Sequence, residues 1–384
     1  MNATRKPTTG PLQGIRILDL TRLLPGPLGT MLMADMGAEV IKIEDPNNPD
    51  YVRVFPPYLN GESINYLSFN RSKLSLTLDY GSEKGRQTFF ELVKTADVVV
   101  EQFRPGFLDK IGIGYEAAKA VNPQIIYVSV TGYGQYGPYA KLAGHDLNYI
   151  AYAGVLGMTG DTAPTVPGVQ MADIAGGSYM TVIATLSALH ARVRTGMGQQ
   201  VDVAMTDAVM PLLSAVYALH AGGDAKAERG KAPLSGGLPN YGVYACADGK
   251  FVALGTLEPK FWGKFCTLVN RPDWTMYVLP KNEAELADFK QQIGHLFLEH
   301  SQAHWVDFGL QNDLLISPVY DLADLEHDPH LQAREMILTQ QHPRAGTYKT
   351  IGVPLKFSST PAQPAWLAPI MGEDTEAILT QLRS

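Results

Sequence analysis

Cysteine is nearly absent: Cys246 and Cys266 are the only thiols in 384 residues. No metal-type Cys/His spacing surrounds them, so neither a disulfide framework nor a zinc site is expected, and a reduced cytoplasmic protein is. Positive charge is also short. The chain has 31 Lys and Arg against 38 Asp and Glu, a formal charge of −7, which is the wrong sign for broad nucleic-acid binding. Long hydrophobic runs are missing as well. The longest nearly apolar stretch, 208–221, contains Pro211 and is too short for a bilayer, so it reads as a buried element and no membrane partner is expected. Residues 1–10 are polar, which argues against a secretory signal. Internal repeats and low-complexity tracts are absent. What remains is a chain 45% apolar, long enough for a main domain and a smaller companion.

Residues 15–20 (IRILDL) form a short apolar strand, 28–36 suit a helix stopped by Gly37, and 39–44 (EVIKIE) return as a strand. Strand, helix and strand in that space make a βαβ unit and imply a parallel sheet. Residues 96–101 and 124–131 are continuous apolar runs, as strands covered on both faces should be. A long helix is predicted over 174–194, with Tyr179, Val182, Ile183, Leu186, Leu189 and Val193 on its core face and Gly196 at its end. Residues 199–205 return as a strand. Composition shifts near Ala221, and 222–237 look like a linker or mobile loop. Beyond it, 241–245 and 251–255 flank Ala247, Asp248 and Gly249, a hairpin signal that opens a smaller α+β region.

Gly132, Gly134 and Gly137 match G-x-G-x-x-G after a strand. The pattern could cradle a pyrophosphate only if a helix followed. Pro138 follows instead, and 139–144 lack the apolar run of a packed helix, so a connecting loop is the expectation.

Three acid–base residues stand out. His145 lies just before a helix start that Asp146 can cap and Gly154 can close. The helix's positive end disfavours imidazolium, keeping the ring neutral and basic; a hydrogen-bonded structural histidine fits the same pattern. Asp173 opens the long helix, where an N-cap is the plain alternative, but Gly176 and Gly177 in that first turn suggest close approach of a ligand or another helix. Glu258 stands where a strand hands over to a helix with Pro259 in its first turn, a position the helix dipole favours for any carboxylate.

In chain order, Gly144 to Tyr149 (GHDLNY), Ala172 and Asp173 with their glycines, and Leu257, Glu258 and Pro259 resemble the α-methylacyl-CoA racemases of the class III CoA-transferase (CaiB/BaiF) family. The resemblance covers most of the chain. It takes in the ADMGAEVIK segment at 34–42, Asn70 to Lys73, Phe103 to Gly106, and DPHLQAR at 328–334. It implies an α/β fold with a Rossmann-like parallel-sheet large domain at 1–221 and a smaller α+β domain at 222–330. A C-terminal segment, 331–384, would return to the large domain, and two copies would interlock as a homodimer. It also implies an acyl-CoA substrate that brings coenzyme A with it, so no separate cofactor is expected. His145 and Asp173 become the acid–base pair, Glu258 the partner of the histidine, and Gly144, Asp146, Asn148 and Tyr149 substrate neighbours. In the transferase branch the position of Asp173 carries a nucleophilic carboxylate instead.

The residue types suit such chemistry. A proton α to a thioester is too weakly acidic for a carboxylate or imidazole alone in water, so fixed donors must stabilise the enolate. Backbone N–H groups at the start of the Asp173 helix are candidates. Inversion needs a base on one face and an acid on the other. In an acidic protein, the phosphates of coenzyme A need locally clustered cations. Arg71, Lys73 and Arg104, then Lys42 and Arg22, are the candidates, each of which could equally be a solvated surface charge.

Overall fold

The computed structural model describes residues 9–276 and 281–383. They divide into two compact units: one comprises 9–153, 167–211 and 330–383, the other 154–166 and 212–329, less the undescribed 277–280. The division falls after Pro211, at a 3-10 turn, Met210–Leu213, so the helical stretch Ser214–Ala221 goes with the second unit.

The first unit is built on six parallel strands: β1 (Arg16–Leu20), β2 (Glu39–Glu44), β3 (Lys73–Thr77), β4 (Val98–Glu101), β5 (Ile126–Thr131) and β6 (Gln200–Ala204). Their spatial order is β3-β2-β1-β4-β5-β6. Helix α1 (Pro25–Asp35) joins β1 to β2, and α2 (Glu83–Thr95) joins β3 to β4. The order reverses between β1 and β4, and ligands of such sheets bind outside the carboxyl ends of the strands at that reversal. Sequence reading misses β3, because KLSLT alternates polar and apolar residues and does not resemble a doubly covered strand. As an edge strand it is covered by the chain's own C-terminal segment. The N–H of Ser75 donates to Asp374 Oδ2 (2.8 Å), and the N–H of Thr77 donates to Thr375 Oγ1 (3.0 Å).

Charge is buried in and beside this sheet. Lys73 Nζ donates to Asp19 Oδ2 at 2.9 Å, Lys42 Nζ to Asp50 Oδ2 at 2.9 Å, and Arg71 Nη2 to Asp35 Oδ2 at 2.8 Å. Both lysines are 0% exposed and Arg71 is 1% exposed. The expectation that Lys42, Arg71 and Lys73 meet phosphates does not survive this geometry, since each is sealed inside against a carboxylate of its own chain. Burial by itself would raise the Asp19 carboxyl, but Lys73 and Lys42 outweigh it and hold it down at about 2.

The long helix begins earlier than predicted. Residues Ala172–Tyr179 form a π-helical stretch that continues into α4 (Met180–Thr195; α3 is placed with the site below). Ala172–Thr195 meets the length and hydropathy of a bilayer span, yet Ser178, Thr181, Thr185 and Ala188 are buried within the unit. The face predicted for the core is turned outward: Tyr179 is 49% exposed, Ile183 52% and Val193 85%. The buried side chains at 178, 181, 185 and 188 keep a regular helical spacing but are small or hydroxyl-bearing, so apolar periodicity marks the outward face instead of the packed one. Gly196 ends the helix at φ +70°, as expected.

In the second unit β7 (Tyr241–Ala245) and β8 (Phe251–Gly255) form the predicted hairpin, and β9 (Ile316–Val319) pairs with β8. Trp262, Phe265, Trp274, Phe289, Phe297 and Trp305 are buried together beneath it. This unit is α+β.

Asp19→Asn leaves Lys73 and Lys42 short of a counter-charge and should destabilise the protein by about 3–5 kcal/mol, read as a lower urea midpoint. Adding Lys73→Met should recover part of the loss. With its folded pKa below the ordinary 3.8, Asp19 contributes stability at higher pH that is lost as pH falls through about 2. Acid unfolding of the Asn variant should lack that component.

Candidate functional site

A cavity of about 540 Å³ opens at the carboxyl ends of β1, β4 and β5, where the strand order reverses. Leu23 and Pro25 reach it from the turn after β1, Phe103 and Arg104 from the loop after β4, and Thr131, Gly132 and Tyr133 from the loop after β5. Gly144, His145, Asn148 and Tyr149 enter from the start of α3 (Asp146–Tyr152), and Asp173 enters from the π-helical turn. Residues scattered from 23 to 173 therefore share one wall-to-wall space.

His145 is the N-cap residue of α3, and its backbone N–H donates to Asn148 Oδ1 at 3.0 Å. The imidazole is exposed at the cavity. Asp146 does not cap the helix as expected. Its Oδ1 accepts the N–H of Asp173 at 2.9 Å, which locks the two acid–base segments together. That bond also corrects a second expectation: the Asp173 N–H is committed to Asp146, so this donor is not available to an enolate. Asp173 is half-buried, and burial first, then the neighbouring Asp146 carboxylate, pushes its carboxyl up to about 6.

One glycine of the G-x-G-x-x-G pattern, Gly132, has a packing role that it shares with Gly144 outside the pattern. A Cβ on Gly132 would stand 2.2 Å from Cε1 of Tyr149, and one on Gly144 would stand 2.7 Å from the same atom. Both positions must be bare for the Tyr149 ring to lie between them, where its hydroxyl donates to the Gly144 carbonyl. No helix follows Gly137; 138–141 form a turn. Gly176 and Gly177 likewise admit protein. A Cβ on Gly176 would meet the Met205 carbonyl oxygen at 2.7 Å, and one on Gly177 would meet Pro25 Cβ at 2.6 Å. Here the neighbours are α5 (Met205–Val209) and the start of α1.

Of the five candidate cations, Arg104 is the one that lines the cavity, and it is exposed. Among the described residues its guanidinium has no counter-ion. Arg22 is half-buried nearby, its Nη2 donating to the Asn48 carbonyl (2.8 Å) and its guanidinium 5.1 Å from the ring centre of Phe103. Glu258 is exposed in the second unit, where it is the N-cap residue of α6 (Pro259–Leu268) without a side-chain cap bond.

Sequence reading overlooks Gln102, whose Oε1 accepts the N–H of Gly26 at 3.0 Å and ties the β4 loop to the start of α1. It also overlooks Met205 on the cavity wall. Neither carries a local signal; only the fold brings them near Asp173.

Residues 12–375 match the family described as CoA-transferase family III. The chain is 33% identical over 376 residues to an α-methylacyl-CoA racemase of Homo sapiens, covering 96% of this chain and 93% of that protein. It is 34% identical over 393 residues to a succinyl-CoA:mesaconate CoA-transferase of Haloarcula hispanica, covering 97% and 96%. A solved CaiB/BaiF family protein from Brucella suis superposes with a TM-score of 0.83 at 31% identity, over 97% of this chain and all of that one.

The Asp173 carboxyl should titrate near pH 6 by carbon-13 NMR. Asp146→Asn removes the like charge and should lower that value without returning it to the ordinary range, because burial is the larger cause.

Proposed function

The chain belongs to CoA-transferase family III, and within that family we propose that it inverts the α-carbon of a 2-methylacyl-CoA thioester by proton transfer between two residues. The supporting observation is that His145 and Asp173 line one cavity from different elements. Each can therefore address a different face of a carbon placed between them. In one direction Asp173 removes the α-proton and His145 delivers one to the opposite face; in the other they exchange roles. A carboxyl near 6 is mostly ionised at neutral pH yet remains a usable acid once protonated. The enolate oxygen formed between the two steps needs donors other than the Asp173 N–H.

Arg104 is proposed as a cation for the phosphates of coenzyme A, which the substrate carries with it. Glu258 keeps, on resemblance alone, the role of orienting and polarising the histidine. The same resemblance suggests an interlocked homodimer in which the small domain of one copy covers the other's site, and the outward apolar face of Tyr179, Ile183 and Val193 is consistent with a covered surface. Sedimentation should show a dimer; an active monomer in dilute solution would remove it.

The second reading is CoA transfer between carboxylic acids. A half-buried carboxylate at Asp173 could attack the thioester carbonyl, form a mixed anhydride and then carry coenzyme A as its own thioester. His145→Ala would then matter less, while Asp173→Asn would abolish acyl exchange.

Incubation in D2O with each enantiomer of a 2-methylacyl-CoA separates the two. Racemisation predicts α-deuterium uptake from both enantiomers. His145→Ala should slow inversion by about 10²–10⁴-fold while Asp173 still exchanges the proton of one enantiomer. Asp173→Asn should show the opposite enantiomer preference, and Glu258→Gln should resemble a milder His145 defect. Hydroxylamine trapping of an acyl adduct at Asp173, with no α-deuterium in the wild type, would establish transfer instead.

A further inference from the structure

Three side chains form a row across the sheet at its carboxyl end. Glu101 on β4 pairs in register with Ser129 on β5, and Ser129 pairs with Asp202 on β6. The two carboxylates each hold a cavity loop by its backbone. Glu101 Oε2 accepts the N–H of Phe103 at 2.7 Å, and Asp202 Oδ2 accepts the N–H of Gln135 at 2.8 Å. Nothing in the proton-transfer scheme uses either group.

Glu101 is the unusual member. It is 5% exposed, and among the described residues no cation pairs with it. The Ser129 hydroxyl and the Phe103 N–H are its hydrogen-bond partners, and the titratable groups acting on it are Asp109 from the turn after the loop and Asp202 from β6, both acidic. Tyr127 of β5 also feels its charge. An unpaired buried carboxylate is costly. Its location suggests what that cost supports. The residue it holds, Phe103, stacks on Phe107 at 5.0 Å and lies under the guanidinium of Arg22, and the next residue is Arg104.

We propose that Glu101 is a positioning residue for coenzyme A binding: its carboxylate fixes the backbone at Phe103 and so aims the Arg104 side chain into the cavity. The inference rests on the reading of Arg104 as a phosphate partner. Hydrogen bonds to ionised acceptors are about twice as strong as neutral ones, so the loop is held best when Glu101 is ionised. Burial raises this carboxyl to about 7, against the smaller opposing effect of Ser129 and the Phe103 N–H. The hold therefore strengthens as pH rises through neutrality and weakens below it. The stability sign is opposite. A carboxyl raised in the folded state costs stability as pH climbs from its ordinary value through about 7.

The test is coenzyme A binding by calorimetry at pH 6, 7 and 8 for the wild type, Glu101→Gln, Arg104→Ala and the double variant, with thermal melts of each. Gln keeps an acceptor for Phe103 but cannot ionise. At pH 8 it should bind coenzyme A about fivefold more weakly than wild type, while melting at the same or a higher temperature. At pH 6 the two proteins should converge; comparing them at each pH cancels the titration of the ligand's own phosphates. In the Arg104→Ala background, Glu101→Gln should have no further effect on affinity. Equal affinity of Gln and wild type at pH 8 beside a weakened Arg104→Ala overturns this inference alone, as does an additive loss in the double variant. A lower melting temperature with the same affinity loss at every pH would make Glu101 merely structural. Unchanged affinity in Arg104→Ala removes the phosphate reading and the inference with it.

Discussion

Burial of paired charge beneath the carboxyl end of a parallel sheet is the constraint on which the rest of this molecule depends. Asp19, at the end of β1, accepts from Thr21, Thr30 and Lys73. Those bonds set the turn that leads into α1. Lys42 answers from β2, joining the Thr21 carbonyl to Asp50, and Asp50 accepts the N–H of Leu23 at the cavity's edge. A fully satisfied polar network in a low-dielectric interior is rigid, and losing one member leaves a charge that nothing else can meet. Removing one partner from this floor therefore costs far more than breaking a surface ion pair.

Above that floor the working groups are less confined. Arg104 and His145 are exposed, and Asp173 is half-buried. The segments that carry His145 and Asp173 are nevertheless tied to each other by the bond from the Asp173 N–H to Asp146. That bond places one carboxylate beside another and adds to the burial that raises Asp173. The same contact thus fixes position and adds a smaller part to the shift that burial mainly causes.

The two readings proposed for this site would use the same carboxylate. A half-buried Asp173 serves as a base or as a nucleophile, and its own environment does not choose between them. His145 lines the same cavity from the N-terminal end of α3.

Much of this was legible in the chain. Continuous apolar runs at β1, β2, β4 and β5 declared strands covered on both faces, and their spacing declared a parallel sheet. Ordered short motifs marked His145 and Asp173 before any coordinates, because segment order along the chain is a property of sequence. The edge strand β3 was hidden, since its cover comes from Asp374 and Thr375 at the far end of the chain. So was the outward face of α4, because its packed side is made of Thr and Ala while its apolar stripe lies on the exposed side. Charge was the least legible of all. Arg71, Lys73 and Arg104 are the same kind of symbol in a sequence, yet two are sealed against carboxylates brought from Asp35 and Asp19 and one faces open space. Local pattern determined which residues could do chemistry and where strands would form. Only the tertiary structure decided which charges were left free to meet a ligand, because a charge is neutralised by whatever the fold places within a few ångströms of it.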